Sequence, residues 1–309
     1  GLVAVLIQIG GLGVSSVGVG LMLAAGKRVS IKSRLLVKEA LNIDNYRGIV
    51  RLVKAVLFMT VSFEAVGALL SFLVFSQDYE PLHAAGISIF HSVAAFNNSG
   101  FDILGGLRNL IPYQENILLN FTTSFLILAG GLGFLVILDI GRHRRFKLLS
   151  FHSKIVIVTS AVLVAAGMFL LKWTEDISWL GAFFQSVSAR TAGFSTYPIG
   201  TFSNAGLFVL CILMFIGASP GSTGGGIKTS TFFVMIQAAR SACTKRNVSA
   251  FHREISQKNV SKACMITVLS ITVVCIATFF MCILEPDCSF IQIFFEVVSA
   301  FGTVGLSTG

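Results

Sequence analysis

The chain has 309 residues, of which 54% are hydrophobic and only 12% are charged, and its formal net charge is +9. Its mean hydropathy is +0.84, whereas roughly a quarter of the residues in a soluble domain are charged. The composition therefore excludes an ordinary soluble protein. It predicts an integral membrane protein, which is embedded in the lipid bilayer.

The positive charge is concentrated in segments 27–54, 142–154 and 240–262, which alternate with acidic stretches around Asp78 and Glu175. Basic loops that alternate with acidic ones are typical of the positive-inside pattern, in which the basic loops are cytoplasmic. We therefore expect these three segments on the cytoplasmic side of the cell membrane. Because the charge has this distribution, we do not expect the chain to bind nucleic acid.

The first apolar run contains LIQIGGLG (6–13) and leads into the first basic segment. A similar run, ILAGGLGF (127–134), contains Gly130, which lies 30 residues after the glycine at position 100. By the same spacing, we expect a loop like the one at residue 100 ahead of residue 1. We also expect a further span after residue 309, so that the chain would be a fragment.

Three segments share one pattern, in which a Phe opens a short apolar stretch that ends in a glycine followed by Phe or Leu. They are FHSVAAFNNSGF (90–101), FQSVSARTAGF (184–194) and FEVVSAFGTVGL (295–306). Each is too short to cross a bilayer and follows a longer apolar run. We predict an all-α membrane fold of repeated units in fourfold pseudo-symmetry around one pore, each unit a span, a re-entrant pore half-helix and a second span. The predicted divisions are 1–51 (inward span of unit one and a cytoplasmic loop), 52–150 (unit two), 151–261 (unit three) and 262–309 (partial unit four).

The loops that end these half-helices are candidate ion ligands. Irregular backbone at membrane depth must be buried in protein or line water, and carbonyls turned toward an axis can replace the hydration shell of a cation. Glycine permits the backbone angles that this requires. Tight helix packing through small residues is the alternative explanation. The loop occurs three times, however, each time in the same arrangement of span and half-helix, which favours a filter. The candidate ligands are Asn97, Asn98, Ser99, Gly100, Thr191, Ala192, Gly193, Thr303, Val304 and Gly305.

Residues 216–230, IGASPGSTGGGIKTS, interrupt the inward span of unit three. The glycines and proline cannot sustain a helix, because each Gly costs about 1 kcal/mol and each Pro about 3 kcal/mol. The stretch differs from a phosphate-binding loop by Ile227, and it follows a span rather than a strand. We predict an intramembrane gate beneath the filter, with a flexible connector as the alternative. The candidate gate residues are Gly217, Ser219, Pro220, Gly221, Gly224, Gly225, Gly226 and Lys228.

Four charged residues inside apolar segments need a role, because ionisable groups in membranes are functional by default. Lys228 could repel cations, pair with a pore acid or reach the cytosolic water. Glu296 and Arg190 are candidate filter supports: they could pair with each other, or Glu296 could hydrogen-bond backbone amides, which we favour. Glu64, in the middle of a span, has the same bracing interpretation.

Other polar residues indicate little further chemistry. His83 and His91 lack a companion cluster of Cys or carboxylates, so we expect no metal beyond a transported monovalent cation, no cofactor and no enzymatic activity. Cys282 and Cys288 flank an outer turn and could form a disulfide.

Five stretches give the chain its family resemblance: LIQIGGLG, HSVAAFNNSGFD, SVSARTAGFST, GASPGSTGGGIKTSTF and SAFGTVGLSTG. With them it resembles the Trk/Ktr/HKT superfamily of potassium transporters, and most of all the bacterial Ktr-type membrane subunit. The resemblance implies K⁺ uptake through four pore units with one filter glycine each, here Gly100, Gly193 and Gly305 in three of them. It also implies an intramembrane gate at 216–230, a homodimer and a cytosolic nucleotide-binding regulatory ring. In this superfamily the first unit's loop bears on K⁺ against Na⁺ preference, so a Na⁺-selective or Na⁺-coupled transporter stays open as the alternative.

Overall fold

The structure is a computed structural model that describes residues 1–13, 49–106, 108–244, 247–251 and 253–309. The described chain is mostly α-helical, with short 3₁₀ helices, irregular loops and one two-stranded hairpin. The helices are α1 (Leu2–Leu12), α2 (Ile49–Phe75), α3 (Pro81–Phe96), α4 (Ile117–Leu132), α5 (Phe134–His143), α6 (Phe151–Thr174), α7 (Trp179–Ser188), α8 (Asn204–Phe215), α9 (Thr229–Thr244), α10 (Gln257–Leu284) and α11 (Phe290–Gly302). The strands are β1 (Ser249–Ala250) and β2 (Arg253–Glu254), which pair antiparallel. Most of the predicted basic segment 27–54 lies outside the described residues.

Three of the described helices are long and apolar enough to cross a membrane: α2, α6 and α10. Each is followed by one of the short helices α3, α7 and α11, which have 16, 10 and 13 residues. A helix that crosses the hydrocarbon core needs about 20 residues, so these three are half-helices. The all-α membrane fold and its repeated pairs of span and half-helix are confirmed.

The half-helices begin where the sequence supplies strong start signals. The hydroxyl of Ser178 accepts the backbone N–H of Gly181 at the start of α7. Ser289 and Gln292 form a capping box at the start of α11. The Ser289 hydroxyl accepts the Gln292 backbone N–H, and the Gln292 side chain accepts the Ser289 backbone N–H. In α3 the first residue is Pro81, a position where the missing N–H costs nothing. Local sequence therefore fixes where each half-helix enters the membrane.

The same packing contact joins span to half-helix in units two and three. Ser92 of α3 donates to the Glu64 carbonyl of α2 at 2.7 Å, and Ser186 of α7 donates to the Val164 carbonyl of α6 at 2.8 Å. In both units a glycine of the span faces this serine, and an added methyl group would collide with the serine hydroxyl and with a leucine of the inward helix. The two glycines are Gly67 and Gly167. This correspondence supports a duplicated structural unit.

The inward helix of unit two is broken, whereas the sequence analysis placed a break only in unit three. Helix α4 ends at Leu132, and α5 leaves at an angle of 100°. The bend occurs at Gly133, which has φ +90° and lies against the carbonyl of Pro220. A residue with a side chain would be strained in this left-handed conformation. The related GGLG run at the start of the chain likewise ends α1 before Gly13, at φ +79°.

Two smaller observations concern the predicted boundaries and the cysteines. Helices α2 and α10 begin before residues 52 and 262, the predicted starts of units two and four, and the division into units stays a prediction. All six cysteines are free, so the possible disulfide between Cys282 and Cys288 is not formed.

Candidate filter and gate

The three predicted filter loops, 97–100, 191–193 and 303–305, come together although they are far apart in the chain. A Cβ added to Gly100 would lie 2.6 Å from the Ala192 carbonyl oxygen and 3.0 Å from the Cα of Gly193. A Cβ added to Gly193 would collide with the Val304 carbonyl oxygen. Each of these glycines therefore packs against the residue before the next unit's glycine. At Gly305 an added Cβ would meet no described atom within 4 Å.

The backbone follows the same unusual path in all three loops. The filter glycines have φ values of +70°, +78° and +88°. Two residues before each glycine, a residue with a side chain also has positive φ: Asn98 at 52°, Thr191 at 97° and Thr303 at 53°. Residues other than glycine seldom adopt this conformation, so its occurrence at matching positions is not accidental. Strained backbone that the surrounding structure maintains is typical of ligand-binding sites.

Each half-helix ends in the filter loop that it carries, and loop amides cap its carboxyl end. The backbone N–H of Ser99 donates to the Ala94 carbonyl at 3.0 Å, and that of Val304 donates to the Ser299 carbonyl at 2.9 Å. The N–H groups of Ala192 and Gly193 share the Ser188 carbonyl. The negative end of each helix dipole is therefore directed at the loops, where it favours a cation.

A serine of the half-helix holds the far side of the loop in units three and four. Ser188 donates to the Phe194 carbonyl at 2.5 Å, and Ser299 donates to the Leu306 carbonyl at 2.7 Å. Phe194 and Leu306 directly follow the filter glycines. In unit two the matching residue is Ala94, which has no hydroxyl group. These serines were not among the predicted filter residues, although the repeated Ser-Ala pair in the aligned segments was the signal for them.

In units three and four, a second brace comes from the residue after the leading Phe of the repeat. Oε1 of Glu296 accepts the Thr308 backbone N–H at 2.8 Å and the Ser307 hydroxyl at 2.9 Å. At the matching position, the Gln185 amide donates to the Ser195 hydroxyl at 3.0 Å. Ser195 and Ser307 both lie two residues after a filter glycine. These contacts support the bracing interpretation of Glu296, and Gln185 is a further brace, acting as a donor, that was not among the predicted residues.

Arg190 does not form the ion pair with Glu296 that was considered from the sequence, and no described ion pair joins them. Its side chain is 6% exposed. Its Nη2 donates to the Ser160 hydroxyl at 3.2 Å and to the Gly217 carbonyl at 3.4 Å. Arg190 therefore connects the half-helix of unit three to the first part of the gate segment.

The two asparagines of unit two turn their side chains into protein. The Asn97 amide donates to Glu64 and Gln8 at 3.0 Å and to the Val93 carbonyl at 2.9 Å. The Asn98 carboxamide contacts the Thr191 hydroxyl at 3.1 Å. Ion ligands from these residues would therefore be backbone carbonyls. The contact with Asn97 also gives Glu64 a bracing position below the filter loop.

The gate segment, residues 216–230, lies directly against the filter loops. An added methyl group at Gly224 would collide with the Thr191 hydroxyl, and one at Gly225 would collide with the Thr303 hydroxyl. Gly217 and Gly226 pack against each other at the base of the segment, where an added Cβ at Gly226 would lie 2.9 Å from the Cα of Gly217. Small residues are therefore needed where the segment meets the filter and where it folds back on itself.

Backbone hydrogen bonds attach the gate segment to the broken helix of unit two. The N–H of Ser219 donates to the Gly131 carbonyl at 3.0 Å, and the N–H of Phe134 donates to the Gly221 carbonyl at 3.1 Å. The Thr223 hydroxyl reaches the carbonyl of Phe96, at the end of half-helix α3, at 3.3 Å. The segment therefore crosses beneath the filter from unit three to unit two.

Lys228 makes a contact that was not predicted from the sequence. Its Nζ donates to the Gly224 carbonyl at 2.5 Å, within the gate segment itself. Hydrogen bonds from a charged donor contribute about 1.5–3 kcal/mol. Lys228 therefore closes the segment as a loop and places its ammonium group close to the part that touches Thr191.

Comparison with known proteins gives consistent results. A family model described as "TrkH: Cation transport protein" matches residues 2–309. The chain is 35% identical to Ktr system potassium uptake protein B of Bacillus subtilis, over 98% of this chain and 71% of that protein. It is 36% identical to potassium/sodium uptake protein NtpJ of Enterococcus hirae, over 100% of this chain and 71% of that protein. The crystal structure of the potassium transporter TrkH from Vibrio parahaemolyticus matches with a TM-score of 0.70 at 19% identity, covering 89% of this chain and 60% of that one. That likeness shows the shared fold.

Proposed function

The chain belongs to the TrkH family of cation transport proteins, and on this premise we propose that it takes up K⁺ across the cell membrane through the filter loops. The family is one of multi-pass membrane transporters, and the chain is not an enzyme. The observation that supports the proposal most directly is the convergence of three glycine loops with one backbone path. Carbonyls fixed in this way can replace ion hydration without rearrangement.

Selectivity for K⁺ is the finer part of the proposal. The Bacillus subtilis relative is named for potassium uptake alone, and the Enterococcus hirae relative is named for potassium and sodium. The test is uptake of K⁺ and of Na⁺ in cells that lack other potassium importers, with the protein expressed from its complete reading frame. We expect K⁺ uptake that exceeds Na⁺ uptake at equal concentration. Equal uptake, or K⁺ uptake only when Na⁺ is present, would favour the Na⁺-selective or Na⁺-coupled alternative.

The gate segment is proposed to block the pathway beneath the filter in the conformation described here. Its glycines touch Thr191 and Thr303, so an ion leaving the filter on that side meets the segment. Opening requires the contacts with Gly131 and Phe134 to break, and each contributes about 1 kcal/mol. Hydrogen bonds of this strength can break without unfolding the units around the segment.

Partners are proposed from the relatives that carry the Ktr system name. We propose that the chain forms a homodimer in the membrane and binds a cytosolic nucleotide-binding ring through basic segments 142–154 and 240–262. The test is affinity purification of the tagged protein from membranes at low and at high salt. Co-purification of a nucleotide-binding protein that high salt releases would support this proposal, because exposed charge contacts are screened by salt.

A further inference from the structure

One position of the repeat has a different kind of side chain in unit three. The residue six places after the leading Phe is Phe96 in unit two and Phe301 in unit four, but it is Arg190 in unit three. Phe96 stacks on Phe63 with ring centroids 5.8 Å apart, and Phe301 stacks on Phe215 at 5.6 Å. An aromatic ring therefore suits this position where packing alone is needed, and the arginine of unit three needs another explanation.

The Arg190 guanidinium is buried without a counter-ion. In the part of the chain that the structure describes, no carboxylate forms an ion pair with it, and its Nε has no hydrogen-bonding partner there. A buried charge without a partner is destabilising unless nearby acceptors compensate for the lost water. Nη2 finds such acceptors in the Ser160 hydroxyl and the Gly217 carbonyl. Gly217 lies just beyond the carboxyl end of α8, where the helix dipole favours a cation.

The side chain has no room to take another position. It is 6% exposed, and the space beside it, between α4, α6 and α7, measures only about 10 Å³. A space of this size holds at most one water molecule. The guanidinium is therefore kept in its direction toward Gly217.

The position of Gly217 sets the position of the part of the gate segment that meets the filter. A Cβ added to Gly217 would collide with the Gly225 carbonyl, and the N–H of Ala218 donates to that same carbonyl at 3.2 Å. The neighbouring Gly224 packs against the Thr191 hydroxyl. A shift of Gly217 is therefore passed through Gly225 to the contact with the filter loop.

We propose that Arg190 is a positioning residue for the gate, whose hydrogen bond to Gly217 keeps Gly224 against Thr191 and the pathway closed. This inference rests on the proposed function. Arg190 immediately precedes Thr191, so two consecutive residues contact both ends of the stretch 217–224. Loss of the guanidinium releases the first contact and loosens the second, while every filter carbonyl stays in the chain.

The test is initial K⁺ uptake, with K⁺ preference over Na⁺, by the complete protein with Arg190→Phe. This variant installs the side chain that units two and four have at the same position. We expect uptake per expressed protein to rise several-fold, because a charged hydrogen bond that favours the closed state is lost. K⁺ preference should stay within about twofold, because the filter backbone and its replacement of ion hydration are kept.

Two further variants show which contact of Nη2 matters. Arg190→Lys keeps a cationic donor and should raise uptake less than Arg190→Phe. Ser160→Ala removes the other acceptor of the same nitrogen but leaves the Gly217 contact, so it should also have the smaller effect. An effect of Ser160→Ala as large as that of Arg190→Phe would contradict the assignment to Gly217. Arg190→Met, with the same expected rise, replaces Arg190→Phe if the latter does not reach the membrane.

A double variant separates gating from loss of structure. Deletion of residues 221–226 removes Gly224, so Arg190 has no filter contact left to maintain. Adding Arg190→Phe to this deletion should change uptake by less than about twofold, because two changes that act through one contact are not additive. The same rise in both backgrounds would overturn the proposal. A fall in K⁺ preference without a rise in uptake would also overturn it, since Arg190 would then brace the filter.

The unmodified protein distinguishes this inference from the proposed function. If it takes up no K⁺, the proposed function fails. If it takes up K⁺ and Arg190→Phe behaves in the same way at equal expression, only the role of Arg190 fails.

Discussion

The filter loops and the gate segment are both glycine-rich and irregular, but they are held in different ways. In units three and four, the half-helix that carries each filter loop also braces it, through Ser188 and Gln185 or through Ser299 and Glu296. The part of the gate segment that meets the filter is attached by backbone contacts with unit two and closed by Lys228, while its base is attached to α8. Each filter loop is thus held by its own half-helix, whereas the filter-facing part of the gate segment is attached to another unit and is expected to move when those bonds break. This contrast predicts opposite effects of damage: weakening the gate raises flux, and weakening the filter lowers selectivity.

The largest effect should come from removing the part of the gate segment that touches the filter. Deleting residues 221–226 removes Gly224 and Gly225 from their contacts with Thr191 and Thr303. We expect K⁺ uptake to rise by about tenfold or more, because the segment no longer blocks an intact filter. The measurement is initial K⁺ uptake per expressed protein. An unchanged uptake rate at normal expression would show that the segment is a connector and not a gate.

A smaller rise should follow the loss of the bond that closes the gate segment. Lys228→Met keeps the aliphatic stem but removes the ammonium group from the Gly224 carbonyl. A charged hydrogen bond contributes about 1.5–3 kcal/mol, so the closed state should lose stability and uptake should rise several-fold. Lys172→Met is the control, since Lys172 also donates to a loop carbonyl, that of Ile177, but lies far from the gate. A similar rise in both variants would contradict the assignment.

The braces of the filter should affect selectivity more than flux. Ser299→Ala removes the bonds to the Leu306 carbonyl and the Gly305 N–H. At about 1 kcal/mol, we expect K⁺ preference over Na⁺ to fall about fivefold. Ser62→Ala, which removes an exposed hydroxyl bonded within α2, is the control and should have no effect. Selectivity that is unchanged in Ser299→Ala would show that the loop holds its shape without this brace.

The smallest effect should come from Glu296→Gln. Oε1 of Glu296 accepts the Thr308 N–H and the Ser307 hydroxyl, and the amide oxygen of a glutamine in its place can accept the same two donors. We expect selectivity within about twofold of the unmodified protein, since the hydrogen bond is kept and only its charge is lost. Glu296→Ala should instead lower selectivity as Ser299→Ala does. Equal damage from both Glu296 variants would mean that the negative charge itself acts on the ion.

The sequence predicted the elements well because their signals are local. Short apolar stretches that end in a glycine indicated half-helices, and the glycines and Pro220 indicated the break after α8. Contacts across units had no such signal. Arg190 lies six residues after Phe184, as Phe301 lies six after Phe295, yet nothing in the pattern indicates that it reaches Gly217 rather than Glu296. Gly133, at the break in unit two, packs against Pro220, a residue far along the chain, and the sequence pattern does not indicate that contact either.

The central claim is that the glycine loops form a filter through their backbone, and one pair of variants tests it most directly. Gly193 has φ +78° and packs against the Val304 carbonyl, whereas Gly86, on half-helix α3, has open space around it and ordinary backbone angles. K⁺ and Na⁺ uptake should be measured for Gly193→Ser and Gly86→Ser at matched membrane expression. We expect the K⁺ preference of Gly193→Ser to fall by about tenfold or more, because the carbonyls that replace water are displaced, and that of Gly86→Ser to be unchanged. Normal expression with unaltered selectivity in Gly193→Ser would contradict the filter.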